Sequence, residues 1–98
     1  MKTEFTLGQK IIINSYYKRV IEYRKHHEYE RRFKIWKEIK LEKDEIVIVV
    51  GIRSLMNGWI SYEDDYGNVF TGTEKVKALL VTGRLSEKPY YIPMPKLI

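Results

Sequence analysis

Residues 62–74, YEDDYGNVFTGTE, carry the densest group of carboxylates in the chain, and carboxylates at fixed spacing are what a calcium ion requires. Counted from Glu63 as an EF-hand loop, Asp65 falls at the third position, Phe70 at the eighth and Glu74 at the twelfth. The glycine that turns such a loop belongs at the sixth position, where Asn68 stands instead, with Gly67 one place early and Glu rather than Asp at the start. The preceding NGWISY reads as turn and strand, not as the entering helix of an EF-hand. The balance favours a hairpin tip in which Gly67 and Asn68 supply positive φ and the acids are solvated.

Histidine offers a second candidate. On a helix Glu22, His26 and Glu30 share a face at i, i+4 and i+8, whereas the adjacent His26 and His27 point about 100° apart. A surface charge network is the commoner meaning of that spacing, so no metal ligand is assigned. Ser15, Ser54, Ser61 and Ser86 sit in no nucleophile-elbow pattern, and no glycine-rich loop precedes a Lys-Ser or Lys-Thr pair. Cysteine is absent, which removes thiolate chemistry and disulfides. The residues therefore point away from an enzyme: no catalytic residue, no metal site and no cofactor.

Binding is better supported. The segment YYKRVIEYRKHHEYERRFKIWK interleaves cations with aromatic rings, the residue types that neutralise phosphates and stack on bases. Arg19, Arg24, Lys25, Arg31, Arg32 and Lys34 are its candidate nucleic-acid contacts. Acids interrupt it at Glu22, Glu28, Glu30 and Glu38, and its aromatics fall at spacings that also suit a core. Eight Tyr and two Trp are more than one small core can hold, and rings left at a surface anchor protein interfaces. Trp36, Tyr90, Tyr91, Leu97 and Ile98 are the candidate interface residues, the tail docking on a sheet edge by strand addition or closing its own sheet.

The elements that must position these residues divide near residue 44. Residues 1–44 hold twelve cations against seven acids, which is the whole net charge of +5; residues 45–98 balance. Thr6 and Gln9 have the spacing of a capping box, and Ser15 is a second candidate cap. Ile13, Tyr17, Val20 and Ile21 follow one helical face, and Glu28 to Arg32 and Glu30 to Lys34 are supportive i,i+4 pairs. Residues 30–41 read in two ways: as helix, Tyr29, Phe33, Trp36 and Ile39 share a face; as strand, Phe33, Ile35, Ile39 and Leu41 do. The helix reading, running to about Lys40, is preferred.

The second half reads as β. EIVIVVGIR is apolar on both faces, Asn57-Gly58 is a hairpin signal, and a second hairpin turns at residues 65–68. Residues 76–81 fit a buried strand better than a short helix between Thr73 and Gly83, and Pro93 and Pro95 place the tail on an edge. The expectation is a single α+β domain: a basic, mainly helical region over 1–44 packed on an antiparallel meander of three to five strands over 45–98. The longest aliphatic run, residues 46–50, is far short of the roughly 18 residues a membrane helix needs, and the opening lacks a signal peptide, so a cytoplasmic protein without a membrane partner is expected.

Twelve Ile, eight Tyr, one Gln, no Cys and a charged fraction of 32% suit a protein of high temperature. In this style the chain, with GQKIIINSYYKRVIEYRKHHEYERRFKIWKEIK as its most typical stretch, resembles small orphan proteins of filamentous, lipothrixvirus-like viruses of hyperthermophilic archaea. The likeness implies a hot source and a compact viral accessory domain, and carries no site residues. The functional expectation is a non-catalytic binding module for protein partners or self-association, with nucleic acid as the alternative partner.

Overall fold

In the computed structural model, which describes residues 5–26 and 29–95, the chain is all-β. Four strands, β1 (Lys10–His26), β2 (Tyr29–Glu63), β3 (Gly67–Gly83) and β4 (Ser86–Pro93), form one antiparallel sheet in the order β1-β2-β3-β4. The helical N-terminal half expected from the sequence is thus replaced by a hairpin, and the α+β assignment gives way to an all-β meander. Periodicity misled for a physical reason. Ile13, Tyr17, Val20 and Ile21, and then Tyr29, Phe33 and Trp36, fall on helical faces, but these β-branched and aromatic residues are strong strand formers, and tertiary pairing overrides a weak helical prior.

Half of the capping box forms, without its helix. The Thr6 amide donates to the Gln9 side-chain oxygen at 3.1 Å, and the Gln9 amide donates to the Thr6 carbonyl at 3.0 Å. Gly8, at φ 87°, turns this loop back toward the sheet, where Gly8 and Gln9 exchange backbone bonds with Val49. The Gln9 side chain bonds the Thr6 amide as it would at a helix start, but the backbone bond beside it closes a turn leading into β1. At the other predicted tip, residues 64–66 turn between β2 and β3 with Gly67 at φ 71°, as the hairpin reading of the acidic stretch requires.

Asn57-Gly58, by contrast, makes no turn. Both residues lie inside β2, and the Asn57 side-chain oxygen accepts from the Trp36 amide at 2.8 Å while its carbonyl accepts from the Thr73 hydroxyl at 3.3 Å. Gly58 is needed for space: a Cβ there would run into the Thr71 carbonyl oxygen. Residues 76–81 are strand, inside β3, and the proline-bearing tail forms edge strand β4. Leu79 faces Ile92 and Val81 faces Tyr90 across the β3–β4 ladder.

Two compact units emerge, the first from Met1–Lys18, Glu38–Ser54 and Lys77–Ile98, the second from Arg19–Lys37 and Leu55–Val76. The first holds the core of Ile13, Val47, Val49, Leu79, Val81 and Ile92, with Leu41 and Tyr90 packed against it. Alternation along β2 puts Val47 and Val49 inside and leaves Ile46, Ile48, Val50 and Ile52 at 39–64% exposure on the opposite face. The second unit is tied by arginines over rings: Arg19 over Trp36 at 5.0 Å, Arg24 over Phe33 at 4.6 Å and Arg31 over Trp59 at 5.0 Å.

Tyr90 packs edge-on against Tyr16 at 6.5 Å between ring centres. Its hydroxyl is buried without a well-formed hydrogen bond. Burial first, and the Glu45 carboxylate second, push its pKa above the usual tyrosine value, with the Leu85 backbone acting in the opposite sense. A raised folded-state pKa gives stability that is complete below the unfolded-state value near 10 and falls as pH rises beyond it. Tyr90→Phe should therefore hold its stability farther into alkali than the wild type in denaturant titrations above about pH 10, with little change at pH 7. A residual alkaline loss should remain from Tyr17, raised by burial and then by Glu38. Identical alkaline profiles for the two proteins would contradict this burial.

Candidate functional site

Among the residues proposed for nucleic acid, Arg19, Arg24, Lys25 and Arg31 are exposed and Arg32 and Lys34 half-buried, all in the second unit. They stand on two strands, not on a helix that could enter a groove. Four of the six are engaged: the guanidiniums of Arg19, Arg24 and Arg31 lie over rings, Arg24 also pairs with Glu22 at 3.2 Å, and Arg32 donates to Asn68 at 3.1 Å. The unit as a whole carries eight cations against seven acids, because the acidic 55–76 segment joins the basic 19–37 segment. The charge asymmetry read along the chain is thus largely cancelled within the folded unit.

The proposed interface residues are divided between the two units. Trp36, half-buried under Arg19, belongs to the second unit. Tyr90 and Tyr91 belong to the first, Tyr90 turned into the core and Tyr91 on the opposite face beside Leu80. Leu97 and Ile98 lie outside the described residues. Of the metal candidates, only Glu22 has a described side chain, and no group of three potential ligands occurs among the described residues.

A different feature of the first unit stands out. β1 is a terminal strand of the sheet, so one of its edges carries backbone N–H and C=O groups with no neighbouring strand among the described residues. An open groove of about 590 Å³ runs beside it, lined by four consecutive β1 residues, Ile12, Ile13, Asn14 and Ser15, and by Ile92 to Pro95 at the end of β4. Sheet edges are normally blunted by proline, charge or a bulge. β4 obeys that rule through Pro89 and Pro93. In β1, residues 11–17, IIINSYY, contain neither proline nor charge, and charge returns only at Lys10 and Lys18.

The groove floor is ordered by polar contacts from β2. The buried Ser15 hydroxyl donates to the Glu38 carboxylate, and the Lys40 ammonium lies 3.1 Å from the same group. The Ser15 bond, then Lys40, hold the Glu38 carboxyl below its usual range against a smaller opposing effect of burial. A carboxylate held in its ionised form is a poor base, so this trio does not resemble an activated serine. It fixes β1 to β2 and leaves the outer edge of β1 open.

Sequence reading missed this edge because 13–21 were assigned to a helix, where backbone groups bond within the segment. The uncharged run between two lysines was the signal available. Comparison with known protein families, with characterised proteins and with solved structures gives no match. No helix among the described residues is long and apolar enough to cross a membrane.

Proposed function

We propose that this chain is a non-catalytic protein-recognition module that takes up an extended segment of its partner as an added strand on the outer edge of β1. The observation that carries the reading is the stretch 11–17 on a terminal strand, free of proline and charge and bordered, among the described residues, by an open groove with the end of β4 across it. Strand addition draws its affinity from main-chain hydrogen bonds and its selectivity from pockets for alternate side chains. The β1 edge offers the first, and the groove walls of Ile12, Ile92 and Met94 offer the second. The apolar row Ile46, Ile48, Val50 and Ile52 alone is a weaker basis, since a stable interface takes roughly 20–30 residues a side.

The test is selection of binding peptides from a random displayed library, followed by affinity measurements on wild type and Ile12→Lys. Ile12 is 68% exposed, so a lysine there should leave folding within about 0.5 kcal/mol while placing charge on the edge. Enrichment of proline-free alternating sequences whose binding falls at least tenfold in Ile12→Lys is the expected outcome. Failure to enrich any extended sequence, or equal binding by both proteins, would overturn the reading.

Nucleic acid is the second reading, favoured by one observation: Arg19, Arg24 and Arg31 keep exposed guanidiniums on a single unit. Each covers a ring that would otherwise stack a base, which is why protein recognition leads. Steeply salt-dependent binding to generic DNA would reverse that order.

A further inference from the structure

The strand-acceptor reading of β1 leaves open what sort of segment the edge accepts, and the obvious occupant is a second copy of the same edge. Charge decides against it. Two β1 edges related by a two-fold axis must run antiparallel, and the register that uses the whole uncharged run is centred on Asn14. That register sets Lys10 of one copy directly opposite Lys18 of the other, twice over. Like charges directly opposite in a ladder are destabilising. Neither lysine has a carboxylate partner in its own chain among the described residues, and both are exposed.

We infer that the β1 edge selects an extended, uncharged partner segment bounded by a carboxylate at each end, spaced to meet Lys10 and Lys18. This deepens the strand-acceptor proposal and rests on it. The spacing is set by the ladder: in an added antiparallel strand, residues opposite Lys10 and Lys18 are eight positions apart, with seven uncharged residues between them. The two ends are unequal. On the β2 wall of the groove, Lys40 neutralises Glu38, but Asp44 has no such partner among the described ion pairs. Residue 44 lies toward the Lys10 end, because the β1–β2 hairpin turns at its other extremity. An acid at the Lys10 end therefore meets a partly screened charge, and Lys18 is the stronger determinant.

The probe is a set of nine-residue synthetic peptides with one alternating β-branched and polar interior and Glu, Gln or Lys at both ends, titrated against the full chain at low salt. Two further peptides repeat the Glu-ended sequence with N-methyl groups on one or the other set of alternate backbone amides, each of which removes one edge of strand hydrogen bonding. The expected order is Glu above Gln above Lys, about tenfold between the first and last, narrowing as salt screens the ends. Lys18→Glu should erase the order or slightly invert it, since Lys10 remains, and Lys10→Glu should narrow it less. Of the two N-methylated peptides, the one whose bonding edge is blocked should lose binding and the other should keep it.

Tight binding of all three end types without discrimination would overturn the charge rule while leaving strand addition standing. Absence of binding by all of them, or full binding by N-methylated peptides of both registers, would remove strand addition and the charge rule together. A dimer of the free protein that Ile12→Lys dissociates would also overturn the inference, since it would show that a second copy occupies the edge despite the facing lysines.

Discussion

Leu79→Ala should cost about 2–5 kcal/mol of unfolding free energy, the range for a large aliphatic residue removed from a core that closes only partly around the gap. Leu79 is fully buried, faces Ile92 across the β3–β4 ladder, and belongs to the cluster with Val47, Val49 and Val81. Every one of those neighbours is on a strand whose position is fixed by backbone pairing, so little collapse into the cavity is available. Domains of this size have about 5–15 kcal/mol in total, and each kcal/mol moves the melting temperature by about 4–8 °C. A drop of at least about 8 °C in the thermal midpoint is therefore expected. Leu85→Ala, in the exposed β3–β4 turn, should stay within about 0.5 kcal/mol. Equal effects of the two substitutions would mean that the core is not where the register of β3 places it.

Gly58→Asn is the second large effect, and it separates two accounts of one dipeptide. Were Asn57-Gly58 the hairpin turn that its sequence suggests, Gly58 would need positive φ, and asparagine, which visits the left-handed region readily, would substitute at little cost. Gly58 is instead buried within β2, with the Thr71 carbonyl oxygen and the Gly72 Cα where a Cβ would go. Backbone atoms cannot step aside as a side-chain tip can. Overpacking of this kind costs about 1–3 kcal/mol, and occasionally more. Gly67→Asn, at φ 71° in the open β2–β3 turn, should be much milder, since nothing lies within reach of an added Cβ there. The reverse ranking in denaturant titrations would restore the turn at residues 57–58.

The β half of the fold was legible in the residues, and the N-terminal half was not. The β-branched run in 46–50, glycine and asparagine after Asp65, and prolines in the tail each act through the backbone of the residue concerned, so their meaning survives without knowledge of neighbours. The Thr6–Gln9 pair is also local, and its hydrogen bonds did form, but the type of the next element was decided by distant pairing. Residues 10–26 and 29–45 contain enough Ile, Tyr and Val for either element, and their partners in a hairpin are far apart in sequence. The Asn57-Gly58 error has the same origin, because the reason for that glycine is residue 71, on another strand.

The candidate site shows the converse. Arginines and rings drew notice as single residues, yet in the folded chain they largely satisfy one another, Arg19 on Trp36 and Arg31 on Trp59. What remains without a strand partner among the described residues is the outer edge of 11–17, which no residue type announces. Only the missing charge and missing proline in that run distinguish it from a defended edge.

Amide hydrogen exchange along residues 11–17 of the free protein tests the account most directly. With one edge bonded to β2 and the other open, protection should alternate, slow amides facing β2 and fast amides facing the groove, and the fast set should slow when a Glu-ended peptide binds. Uniform protection of all seven amides in the free protein would show that the edge is already covered or the segment helical, and would contradict the account.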